Sequence, residues 1–183
     1  MTTPSPKWTW LYKEGSFVHN KVKDTAFLGL CISLALGLAY VEVLMPDLFA
    51  AVPGIKMGLP NIILIFLLYR RGVVTAATVS LLRMVLVTLL FGNWMAFLYS
   101  LAGGALSMAV MALLKRLNFL SMAGVSVAGG VTHNVGQILM AMWLLKTAEL
   151  GYYLIVLAVT GTIAGLLIGL CGALLIRRVP QRL

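Results

Sequence analysis

Between Ala26 and Ile176 the chain carries only ten charged residues, and nearly all of them stand at the ends of apolar runs. Several of those runs approach about 20 residues, the length at which a helix rising about 1.5 Å per residue crosses a hydrocarbon layer of about 30 Å. Backbone placed in lipid has no water to bond to, so such runs must close their hydrogen bonds within themselves as helices. The 61% hydrophobic content and mean hydropathy of +1.01 exclude an ordinary soluble domain.

The pattern predicts an all-α, polytopic membrane protein with six transmembrane helices. They are expected at about 26–44, from about 59 to 69 as a broken second segment, and then at 73–91, 95–114, 120–145 and 151–176. Residues 1–25 hold Trp8, Trp10 and Tyr12 among lysines, a mixture suited to the headgroup region, and read as a cytoplasmic interfacial arm. Residues 26–176 form the transmembrane domain and 177–183 a basic cytoplasmic tail. The first apolar run is long enough to span and is not followed by a small-residue cleavage site, so it is expected to stay in the mature protein.

The net charge of +9 raises nucleic acid as a partner, but the 14 basic residues sit in small groups at the ends of runs, with no extended patch interleaved with aromatics. They read as topology signals. With the N-terminus inside, Lys13, Lys21, Lys23, Arg70-Arg71, Lys115-Arg116 and Arg177-Arg178-Arg182 all fall on the cytoplasmic side, leaving Lys56 and Lys146 outside. Both termini are therefore expected in the cytoplasm and the protein in the cytoplasmic (inner) membrane as a multi-pass chain. Cys31 and Cys171 match no metal or redox spacing and read as packing residues. No catalytic triad, metal site or cofactor motif is visible.

Polar residues inside such a chain are costly, which makes them informative. Pro53-Gly54-Ile55-Lys56-Met57-Gly58-Leu59-Pro60-Asn61 opens an apolar segment too short to cross alone. Short, Gly/Pro-interrupted segments point to binding sites in transporters, although a plain helix-entry loop has the same composition. Arg83 lies about 18 Å beyond the Arg70-Arg71 end, past the bilayer midplane, where an arginine costs at least about 2.5 kcal/mol. It requires a partner, a cavity or an anionic ligand. Gly129-Gly130-Val131-Thr132-His133-Asn134-Val135-Gly136-Gln137 is a second polar cluster, with His133 and Gln137 one turn apart on one face and Asn134 beside them. Taken at their expected depths, Lys56, Asn61, Arg83, His133, Asn134 and Gln137 converge on an outer-half cavity rich in donors. Glu42 is a possible counter-charge. The competing expectation is that Glu42 and Arg83 simply pair and hold helices together.

Small residues suggest where helices approach closely. Gly29, Ser33 and Gly37 recur every four residues on the first helix, with Ala35 and Ala39 on a neighbouring strip. Such a face suits either internal packing or the docking of a partner subunit. Gly161, Gly165, Gly169 and Ala173 form a second stripe on the sixth helix.

PGIKMGLPNI at Pro53 to Ile62, together with GGVTHNVGQ at Gly129 to Gln137, resembles the Gx transporter family, whose members also carry the label heptaprenyl diphosphate synthase component I. That family is similar to the substrate-binding S components of energy-coupling-factor vitamin transporters, and the resemblance covers about Thr25 to Ile176. The family motif has Leu where this chain has Met57 and Ala where it has Pro60; the second change bears on how the second helix is entered. The resemblance implies a compact S-component-like bundle that captures a small, vitamin-like or cofactor-related anionic solute outside and releases it inside. It implies an energy-coupling membrane subunit and ATPases as partners, docking on the Gly29 to Ala39 face.

The chain has no P-loop, so ATP hydrolysis would come from another polypeptide. Its five carboxylates, Glu14, Asp24, Glu42, Asp47 and Glu149, form no cluster able to hold Mg²⁺ and diphosphate. Catalysis is not expected of this subunit. The alternative class is a non-catalytic membrane accessory subunit of isoprenoid, quinone or flavin-linked electron-transfer machinery.

Overall fold

The structure is a computed structural model, and it describes residues 9–44, 58–91 and 94–179. Lys56 lies outside the described residues. The secondary structure described is entirely helical: α1 (Thr9–Leu44), α2 (Asn61–Arg70), α3 (Val73–Phe91), α4 (Trp94–Leu117), α5 (Met122–Leu145) and α6 (Leu154–Arg178), with a 3-10 turn at Ala148–Tyr153 leading into α6.

Among the described residues four stretches have both the length and the composition to cross a membrane: Lys21–Glu42, Val73–Phe91, Trp94–Leu117 and Ala148–Arg178. The expected six therefore divide into four such spans and two exceptions. α2 has only 10 residues, as the broken segment foretold. α5 has 24 residues, long enough at about 1.5 Å each, but its serine, threonine, histidine, asparagine and glutamine dilute its apolar character.

α1 departs from expectation at its start. Asp24 and Thr25 read as a cap for a helix beginning near Ala26, yet the helix begins at Thr9. No proline interrupts 9–25, and most of the residues there are compatible with a helix interior. The Thr25 hydroxyl bonds back to the Lys21 carbonyl at 2.9 Å, as a threonine does inside a continuing helix.

The helices form a ring in which each packs on the next, α2 against α3, α3 against α4, α4 against α5, α5 against α6, and α6 back against α2; α1 lies over α2 and α3. α2 is apolar on every side and is enclosed accordingly, with Leu67 and Leu68 fully buried. Near its end the Leu68 carbonyl is satisfied from another helix, since Lys115 Nζ donates to it at 2.5 Å. Arg70 donates to the Val179 carbonyl at 2.7 Å, and Arg71 pairs with Asp24 at 2.8 Å. Four helices are thereby tied at one end of the bundle by the basic groups that read as topology signals.

α5 is seated by backbone contact with both neighbours. A Cβ added at Gly130 would stand 2.5 Å from the Gly161 carbonyl oxygen, one at Gly165 2.7 Å from Val127 Cα, and one at Gly169 2.7 Å from Ala123 Cα. On the other side a Cβ at Gly136 would stand 2.8 Å from Gly103 Cα. The stripe on the sixth helix is thus a packing face within the chain. Ile155, Val159, Ile163, Leu166, Leu170 and Leu174 of α6 stay exposed, as do Leu81, Leu82, Val85 and Leu89 of α3. Apolar surface that extensive belongs against lipid.

The expected docking strip on α1 divides in two. Cys31, Ala35 and Ala39 face the interior and belong to the core, so Ala35 and Ala39 pack within the chain. Gly29, Ser33 and Gly37 are exposed, and a Cβ at either glycine would meet nothing within 4 Å. The cause is helical angle: four-residue steps from Cys31 trace one side of the helix and four-residue steps from Gly29 trace another.

Candidate functional site

The ring of α2 to α6 encloses a small cavity. Its polar lining comes from Asn61 on α2, Ser80 and Arg83 on α3, Ser107 on α4, and Ser126 and His133 on α5. Glycines make the space: Gly104, Gly129, Gly130 and Gly165 face it without side chains, while Ile65, Met111 and Ile168 supply apolar wall. The volume is about 30 Å³, room for about two water molecules.

Arg83 dominates the cavity. Its residue surface is 9% exposed, and its Nε is fully buried with no hydrogen-bond partner among the described residues. Unpartnered buried donors are rare in folded chains, and a charged one is the costliest kind. The expected pairing with Glu42 is absent, because among the described residues the one salt bridge joins Arg71 to Asp24. Glu42 is near enough for its charge to act on Arg83. Its carboxylate is engaged elsewhere: Oε1 accepts from the backbone N–H of Gly58 and, at 3.1 Å, from that of Leu59.

Glu42 therefore works on the entry to α2. Pro60, the cap residue, supplies no side-chain acceptor, and the carboxylate from α1 satisfies N–H groups just ahead of the helix and complements its positive end. Gly58 adopts a φ of +78°, which aims its N–H toward Glu42 and which an L side chain rarely adopts. Glu42→Ala is expected to lower unfolding stability by about 1 kcal/mol, the cost of leaving half-buried donors without their acceptor. Glu42→Gln, which keeps an acceptor, is expected to lose less; equilibrium unfolding in mixed detergent reads the difference.

The second polar cluster splits by helical angle. His133 lines the cavity, with its ring against the Gly103 backbone; Cε1 lies 3.3 Å from where a Cβ there would be. Asn134 turns to α6 and donates from Nδ2 to the Leu157 carbonyl at 2.8 Å. Gln137 packs its Cγ beside Gly103 and is not part of the cavity wall. Asn61, Arg83 and His133 are thus brought together, Asn134 and Gln137 join helices, and Glu42 stands outside at the α2 entry.

Ser80, Ser107 and Ser126, all buried, were not singled out from the sequence as site residues. A periodicity signal was present. Ser126, Gly129, Gly130 and His133 recur at i, i+3, i+4 and i+7, and Ser80 stands one turn before Arg83. Among the described residues no group of three or more histidines, cysteines or carboxylates comes together in metal-binding fashion. The arrangement offers one fixed positive charge and a ring of hydrogen-bond donors, chemistry suited to holding a small anion or hydrogen-bond acceptor.

A family model described as heptaprenyl diphosphate synthase component I matches residues 31–175, from the inner face of α1 to the last turns of α6. No curated protein and no solved structure matches the chain.

Proposed function

Because the chain belongs to the heptaprenyl diphosphate synthase component I family, a multi-component system by its name, we propose that it is the membrane subunit that binds a small anionic solute for a partner to act on. In this reading six helices cross or enter the inner membrane with both termini in the cytoplasm. The solute reaches the Asn61, Arg83 and His133 cavity from outside, and a separate energising module drives its release inside. The observation that carries the reading is the unpartnered Arg83 Nε in a polar cavity walled by five helices. A helix tie would have placed a carboxylate against that guanidinium; a binding site leaves the place open. The cavity is much smaller than the roughly 300 Å³ or more of a typical ligand pocket, so capture of a vitamin-sized body requires the ring to open.

Native mass spectrometry of the protein, purified gently from its own membranes, tests the reading. A stoichiometric small molecule is the expected result. Its absence, with recovery of a synthase or redox subunit instead, favours the second reading, an accessory subunit of isoprenoid, quinone or flavin-linked machinery.

One observation serves both readings: the exposed Gly29, Ser33 and Gly37 face of α1 has no occupant among the described residues. Gly37→Leu is expected to leave the isolated subunit's stability within about 0.5 kcal/mol, as for a surface change. The same substitution is expected to release the partner from complexes pulled down through this chain. Retention of every partner by Gly37→Leu and Gly29→Leu removes the face from consideration.

A further inference from the structure

Resting on the reading of the chain as a solute-binding subunit, we propose that the group seated against Arg83 is a single carboxylate, the acidic head of the solute, and not a phosphate or diphosphate.

Charge sets the first limit. Among the described residues the cavity wall contains one permanent cation, Arg83, and no aspartate or glutamate, and Glu42 outside the wall already offsets part of that charge. One negative charge neutralises it; a diphosphate would leave several buried charges unbalanced, and no cluster of oxygen ligands for Mg²⁺ stands nearby among the described residues. Size sets the second. A space of about 30 Å³ suits a head group as small as a carboxylate, whereas a diphosphate requires a wider opening of the ring at the polar site itself.

The donors fit the same group. A guanidinium is a planar fork, and its edge that includes Nε matches a carboxylate through two parallel N–H bonds. The free Nε lies on that edge. An ionised carboxylate has about four acceptor positions, and the Ser80, Ser107 and Ser126 hydroxyls on three surrounding helices are the donors available for the rest. Every polar side chain described in the cavity wall is able to donate, and the one carboxylate whose charge reaches Arg83, Glu42, is held outside the wall by the Gly58 and Leu59 N–H groups.

The test uses the full chain in lipid nanodiscs, cleared of co-purifying solute, with its thermal midpoint followed at constant ionic strength. Sodium formate is the probe, against sodium chloride, sodium phosphate and uncharged formamide. Formate is expected to raise the midpoint saturably and more than chloride or phosphate do, with no response to formamide. Arg83→Met is expected to raise the half-saturating formate concentration at least tenfold, and Ser107→Ala, a mild change in a helix, to raise it a few-fold. Equal effects of formate and chloride, a stronger response to phosphate, or an undiminished formate response in Arg83→Met overturns the assignment.

A native-bound solute that lacks a carboxylate defeats the carboxylate alone and leaves solute binding standing. No bound solute, together with no response to any anion, defeats both.

Discussion

Arg83→Met is expected to make the ligand-free protein more stable and to abolish solute retention, two effects of opposite sign from one substitution. The sign of the stability change follows from the environment of Nε. A buried guanidinium lacking a partner for that donor carries a cost, at least about 2.5 kcal/mol for an arginine deep in a bilayer, that the fold does not recover. Methionine keeps a long flexible side chain, removes the charge and fills irregular space. A gain of about 2 kcal/mol corresponds to roughly 4 to 8 °C in the thermal midpoint of a chain of this size. Loss of binding follows because the cavity then has no charge to offer an anion.

The paired outcome is what separates function from structure. An arginine that ties helices together lowers stability when it is removed, because it leaves its partner stranded. An arginine kept for a ligand does the reverse, in the way that active sites commonly hold strain that costs stability. A lower midpoint for ligand-free Arg83→Met, or a bound solute that survives the substitution, therefore sinks the site. Arg83→Lys keeps the charge but loses the fork, and is expected to fall between wild type and methionine in binding.

Helix content and the cost of Arg83 were legible in the sequence because both follow from lipid as a solvent. An apolar run of the right length has one low-energy form, and a charge in its middle has to be accounted for wherever the helix sits. Partners were less legible. Glu42 and Arg83 have opposite charges and suitable depths, yet Glu42 is drawn to the Gly58 and Leu59 N–H groups. Depth along an axis is readable from a sequence; angle around the bundle depends on which helices become neighbours.

The same distinction explains the rest of the site. His133, Asn134 and Gln137 lie close in sequence, but about 100° of rotation between adjacent residues sends Asn134 toward α6 while His133 faces the cavity. The three buried serines do not stand out in the sequence as site residues because serine in a membrane helix is equally at home bonding its own backbone, as Ser33 does to the Gly29 carbonyl at 2.9 Å. Only the ring of α2 to α6 turns Ser80, Ser107 and Ser126 toward a common point.

Gly165→Leu is expected to destroy the fold that this ring depends on, at a cost of about 3 kcal/mol or more. A Cβ at Gly165 would stand 2.7 Å from Val127 Cα and 2.8 Å from the Ser126 carbonyl oxygen. Both are backbone atoms and neither can rotate aside, so α5 and α6 must separate. Ordinary overpacking of a core costs about 1 to 3 kcal/mol when side chains are able to give way; backbone against backbone has no such relief. Separation also breaks the Asn134 bond to the Leu157 carbonyl and leaves two polar groups facing lipid. Gly37→Leu makes the same chemical change where nothing stands within 4 Å, and so controls for bulk and hydrophobicity. Monodisperse protein after size-exclusion chromatography in detergent is expected for Gly37→Leu and not for Gly165→Leu. Equal behaviour of the two variants would mean that close approach of α5 and α6 does not hold the bundle together, and the cavity between them would lose its frame.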